Sequence, residues 1–277
     1  MISFGSGLVI LAVALAVWAP GRCGLARAFA SVRAGTVPWW YLCGGAGGAL
    51  FVLSQGITGA VLGVALFTVA VVGGQTISSL VIDRTGIGHA LPGAITVTRL
   101  VGSALALVGV TVAVSARFGG DIPAWMLLLP FAAGLAVAVQ QAVNGQVRRI
   151  AGSALTATFM NFLVGTIVLS VAAVVHGAFV GVPDRWPTDP VLFLGGPIGV
   201  AFIGAAVRVV RITGVLLLGL GSVAGQLAAS IVLDVVVPTT VRTVVTSTVI
   251  GTLLTLVAVA IAALPSRTIA RGPIRAR

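Results

Sequence analysis

Apolar stretches of membrane-crossing length recur along this chain, with short polar connections between them. They fall at about 2–19, 38–56, 61–82, 98–115, 123–144, 153–175, 190–207, 212–233 and 243–264. Each comes near the roughly 20 residues a helix needs to cross a hydrocarbon core of about 30 Å. None shows the alternation of a barrel strand, and in lipid the backbone must satisfy its own hydrogen bonds, so helices follow. The pattern predicts an all-α fold, a polytopic transmembrane helix bundle of about nine spans. The first stretch has no basic segment ahead of it and reads as a retained span, not a cleaved signal. The longest connections, at 20–37, 83–97 and 176–189, are expected as loops. Trp18, Trp39, Trp40, Trp125 and Trp186 fall at or beside span ends, as in an interfacial aromatic belt.

Composition sharpens this reading. Hydrophobic residues make up 58% of the chain and charged residues 8%, against roughly 25% charged in a soluble domain, so there is too little polar surface to coat a water-facing globule. A net charge of +11 would suggest nucleic acid in a soluble protein. Here the arginines sit in connections between spans, so the expected partner is the lipid bilayer and not nucleic acid. Threading the chain alternately puts Arg22, Arg27, Arg33, Arg84, Arg99, Arg148, Arg149, Arg208, Arg211, Arg267, Arg271, Arg275 and Arg277 on one side. The other side receives Arg117, Arg185 and Arg242, with Asp121, Asp184, Asp189 and Asp234. The arginine-rich side, and the C-terminus with it, is expected in the cytoplasm. Cys23 and Cys43 lie far apart in sequence and read as free thiols.

The chain also repeats itself. Residues 38–83 align without a gap with 189–234, and 13 of the 46 positions are identical. Gly44, Gly45 and Gly48 match Gly195, Gly196 and Gly199; Phe51 matches Phe202; Gly63-Val64 matches Gly214-Val215. Gly74-Gln75, Ser79 and Asp83 match Gly225-Gln226, Ser230 and Asp234. Apolar bias alone would not align a Gln, a Ser and an Asp. Upstream, Phe4, Gly7 and Leu11 match Phe162, Gly165 and Leu169; downstream, Gly102 matches Gly251. The first unit is residues 1–118, with four spans, and the second 119–277, with five and an Arg-rich cytoplasmic tail. An odd number of spans per unit turns one copy over relative to the other, giving two inverted-topology repeats of which the first is short by a helix. The expectation is an N-terminal truncation, with a further span running outward before Met1.

These motifs resemble the drug/metabolite transporter superfamily, and within it the YdcZ-like branch of bacterial inner-membrane proteins. The resemblance rests on Gln141-Ala-Val-Asn144-Gly145, Ser153-Ala-Leu, Phe162-Leu-Val-Gly165-Thr166 and Gly225-Gln226 with Asp234. In the first half it rests on Pro38-Trp39-Trp40, Leu62 to Phe67, Gly74-Gln75, Asp83-Arg84-Thr85-Gly86 and Arg99-Leu100-Val101-Gly102. It covers nearly the whole chain and implies ten helices in two inverted five-helix units that move a small-molecule solute. It supplies no particular solute.

Candidate binding residues are amides. Gln75 and Gln226 hold equivalent places and could face one cavity at the midplane; the alternative is helix-packing glue. Gln140, Gln141 and Asn144 share a helical face near the end of the fifth span and are expected as an inner gate or as an interfacial helix end. Asn161 and Ser78 are further candidates of the same kind. Asp83 and Asp234 sit at span ends, where the helix dipole disfavours a carboxylate, so they read either as solvated interfacial charges or as held by partners such as Arg84 or Arg242. With no acid at mid-span, proton-coupled export of cations is disfavoured and neutral or anionic solutes fit better. The glycine pairs Gly44/Gly48, Gly195/Gly199 and Gly221/Gly225 read as packing surfaces, while Pro130 and Pro197 could kink their helices. His89 and His176 have no ligand cluster around them, and no nucleophile elbow, phosphate loop or dinucleotide motif occurs, so neither an enzyme nor a cofactor is expected. The competing reading is a non-transporting accessory or structural membrane protein, with a homodimer or a partner membrane subunit covering the face of the absent span.

Overall fold

The structure, a computed structural model, describes residues 2–86, 96–115, 124–181, 190–236 and 246–264. They form eight α-helices: α1 Ile2–Val17, α2 Ala19–Arg33, α3 Gly45–Thr85, α4 Val97–Val114, α5 Leu128–Ala151, α6 Ala154–Val180, α7 Val191–Val236 and α8 Thr246–Ala263. Two short 3₁₀ turns, Trp39–Cys43 and Ala124–Leu127, lead into α3 and α5.

Two of these helices are too long to cross a bilayer once. With 41 residues, α3 would extend about 60 Å if straight. It is folded back on itself. Its start runs antiparallel to α5, with Gly44 against Asn144 and Gly47 against Ala136. Its end runs parallel to α5, with Gly74 against Phe131, Ser78 bonded to Leu135, and Ile82 clustered with Ala138 and Ala142. The chain therefore reverses between the two arms, which is why the rings of Phe51 and Phe67 meet with centroids 5.4 Å apart. In α7 the reversal is at Gly214, with φ 89° and ψ 170°, a conformation that a side chain resists. Pro197 is carried inside α7 without such a break, and Pro130 sits in the first turn of α5, where a missing N–H costs little. By length and composition four helical stretches could cross a membrane, or five if the bent α1–α2 pair is one span. Splitting α3 and α7 into arms, and adding the shorter apolar helices α4 and α8, yields nine arms at the places of the nine predicted spans.

The connection at 20–37 is a correction to the sequence reading. Residues 19–33 form α2, bent 103° from α1 at Trp18 with Pro20 in its first turn. Its narrow buried face of Gly21, Gly24 and Ala28 packs on the α5–α6 turn: Thr156 donates to the Gly21 carbonyl at 2.9 Å, and Gly24 abuts the backbone of Ala151. That turn is tight because Gly152 ends α5 at φ 65° and the Ser153 hydroxyl accepts from the N–H of Thr156. α6 also runs on to Val180, so His176 is helical and exposed, not in a loop.

Contacts between the halves are reciprocal. Phe4 lies over Gly165, and its equivalent Phe162 lies over Gly7, the equivalent of Gly165. Gly102 packs on Ala258, while Gly109 packs on Gly251, the equivalent of Gly102. The arms 67–83 and 215–226 pack antiparallel: Asp83 meets Val215 and Leu216, Gln75 meets Gly219, and Val72 shares a buried cluster with Val223. The backbone positions of Asp83 and Asp234 accordingly lie at opposite ends of the bundle. The charge partition is spatial too. Arg148 reaches the Arg208 carbonyl, Arg99 reaches Asp83, and Arg27 lies against Gly152, all at the end where Trp18, Trp39 and Trp40 are exposed. Arg117, Arg185, Arg242, Asp121, Asp184, Asp189 and Trp186, expected at the other end, lie outside the described residues, as does His89.

Candidate functional site

A cavity of about 300 Å³ lies among α1, both arms of α3, α5, α6 and both arms of α7. Six of the seven amide and hydroxyl candidates line it: Gln75, Gln140, Gln141, Asn144, Asn161 and Gln226. Ser78 does not; its hydroxyl donates to the Leu135 carbonyl at 3.1 Å and ties the second arm of α3 to α5.

The amides form a cluster built by helix packing. Asn161, 1% exposed, projects from α6, and its Oδ1 accepts from Gln140 Nε2 at 2.9 Å and Asn144 Nδ2 at 2.8 Å. Opposite stands the glycine face of α3. A methyl at Gly44 would strike Asn144 Oδ1, and one at Gly45 would run into the Asn161 backbone oxygen, so the absent side chains leave room for the amides. Gln140, Gln141 and Asn144 were expected as an inner gate or a helix end. They are buried in the wall and not at a helix end, because α5 continues two turns past Asn144 to Ala151. Gln140 Oε1, Gln141 Oε1 and Asn161 Nδ2 are buried with no hydrogen-bond partner.

Gln75 and Gln226 line the same cavity from unlike settings. Gln75 is buried, its arm backed by α5, with Gly74 against the Phe131 carbonyl. Gln226 is exposed, and its neighbours Gly221 and Gly225 meet nothing within 4 Å. The packing role expected for that last glycine pair is thus not found among the described residues, whereas Gly44/Gly48 and Gly195/Gly199 do admit close neighbours.

Asp83 was not expected to be structural. It is 3% exposed, and its Oδ1 and Oδ2 accept from the N–H groups of Val215 at 2.8 Å and Leu216 at 3.2 Å. Those are the first N–H groups after the Gly214 break, which α7 itself cannot satisfy. The carboxylate of one hairpin therefore caps an arm of the other, at the end where the helix dipole is positive. Among the described residues, Arg99 is a cation beside it, at 3.5 Å. The one sequence clue was Gly214 itself, aligned with Gly63. The side chain of Asp234 and the whole of Arg242 lie outside the described residues. Among the described residues, no group of His, Cys, Asp and Glu could hold a metal.

The family model described as "Putative inner membrane exporter, YdcZ" matches residues 1–112 and 125–261. The chain belongs to the YdcZ family. It is a polytopic inner-membrane protein of a family of transporters, not of enzymes. No curated protein matches the chain. For a YdcZ-family transporter, Ser78 serves as a control. Ser78→Ala should cost about 1 kcal/mol of stability and leave solute flux unchanged, as measured by thermal unfolding and proteoliposome transport.

Proposed function

We propose that this YdcZ-family protein moves a small solute across the membrane by alternating access to the 300 Å³ cavity, with residues 1–118 and 119–277 as inverted repeats that rock about it. One observation carries the reading. Under a two-fold relation, contacts between halves come in exchanged pairs and equivalent residues meet on the axis. Phe4/Phe162 and Val72/Val223 are such self-equivalent pairs, and all four residues line the cavity. An axis between the two pairs passes through it. The opposed ends of Asp83 and Asp234 agree with inversion, and the arginine cluster at the Asp83 end supports a cytoplasmic orientation for that end, and with it for the C-terminus.

The test needs no known solute. In a background with Cys23 and Cys43 replaced by serine, Ser222→Cys puts one thiol on the cavity wall. Alternating access predicts that a membrane-impermeant maleimide labels it from either side of oriented vesicles. An accessory or structural protein predicts labelling from one side at most, and that result would remove the transport mechanism.

A further inference from the structure

We infer that the cavity takes an uncharged, flat solute bearing an amide-like edge, an N–H donor beside an oxygen acceptor; this rests on the cavity being the transport site. Charge is the first argument. Among the described residues no lining side chain is ionisable, and the nearby carboxylate, Asp83, is already engaged by two backbone N–H groups and Arg99. An ion entering the cavity would shed its water without a counter-charge, which costs far more than burying a neutral polar group.

The second argument is the hydrogen-bond inventory. Asn161 Oδ1 is occupied by two donors, which leaves two acceptors, Gln140 Oε1 and Gln141 Oε1, and one donor, Asn161 Nδ2, buried and unpartnered. Each such group is costly to leave unpaired. These three atoms are shielded from the cavity in this conformation, but their side chains line it together with Gln75, Asn144 and Gln226 as primary amides, each an N–H donor beside an oxygen acceptor, and only a solute with both donor and acceptor answers both kinds. A ketone answers the donor alone. The third argument is shape. The Phe4 and Phe162 rings stand with centroids 5.2 Å apart and tilted 37°, and Phe51 meets Phe67 edge-on at 5.4 Å. Such ring faces favour a planar aromatic guest, and 300 Å³ is at the small end of ligand pockets.

Four benzene derivatives of nearly equal size separate these terms: benzamide (neutral, donor and acceptor), acetophenone (acceptor only), benzoate (anion) and benzamidine (cation). The full chain is purified in detergent, and binding is read by thermal shift and calorimetry. Benzamide should bind at least tenfold more tightly than acetophenone and than either ion, and Asn161→Leu and Gln140→Leu should each weaken it at least tenfold. Equal or tighter binding of an ion or of acetophenone overturns the solute class, as does binding of none of the four. If an ion binds and Asn161→Leu or Gln226→Leu abolishes it, the cavity remains the site and only the class falls. If benzamide binds and both amide variants leave it unchanged, the occupied site lies elsewhere and both readings fall.

Discussion

Asp83→Ala should lower the melting temperature of the purified protein by roughly 5–15 °C, the largest stability loss expected of any single polar substitution here. The variant strips the acceptors from the Val215 and Leu216 N–H groups, both in buried residues, and each orphaned donor costs about 1–3 kcal/mol. For a chain of this size one kcal/mol corresponds to about 2–4 °C. Arg99 adds little, since at 22% side-chain exposure and 3.5 Å its ion pair falls in the range of about 0–1 kcal/mol. Arg99→Ala should therefore move the melting point by only a few degrees. Asp83→Asn keeps one oxygen for one N–H and should lose roughly half as much as Asp83→Ala. Fluorescence-detected thermal unfolding reads all three. An Asp83→Ala shift as small as that of Arg99→Ala would mean the carboxylate does not hold the Gly214 reversal.

The apolar register of the sequence located all nine arms, because hydrophobic length is what a bilayer selects. It did not show that α3 and α7 stay helical around their reversals. Gly59 fell between two predicted spans, with Gly56 and Gly63 at their edges, yet the helix runs through all three. Nor did it show α2, whose mean apolarity is that of a loop; its helicity comes from a narrow Gly21/Gly24/Ala28 face docking on another turn. The cavity wall was legible as residue types, since an amide in an apolar span has few uses. Its arrangement was not. Nothing local distinguishes Asn161 from the other candidates, and it is the hub only because α5 and α6 pack antiparallel. Asp83 was misplaced for the same reason: its partners are backbone groups 132 and 133 residues away, invisible to any local rule.

Asn161→Leu should reduce solute flux at least tenfold while the protein remains folded and continues to change access. Leucine keeps the branched shape and heavy-atom count of asparagine but offers no oxygen to Gln140 Nε2 and Asn144 Nδ2, which now meet at Oδ1. Both amides then turn toward each other or the cavity, and the wall loses its fixed pattern of donors and acceptors. Sites built to hydrogen-bond a solute depend on such patterns far more steeply than apolar ones do. In the proposed mechanism the two halves rock on other contacts, the Phe4/Phe162 and Val72/Val223 pairs, so Ser222→Cys in this variant should still be labelled from both sides. Asn161→Asp separates geometry from charge. It retains an acceptor for both donors but puts a carboxylate into a wall without titrating groups, so benzamide transport should fall and benzamidine should begin to bind. Proteoliposome flux, two-sided labelling and binding on the same preparations decide it. Full benzamide flux through Asn161→Leu would show that the cluster holds helices together and touches no solute.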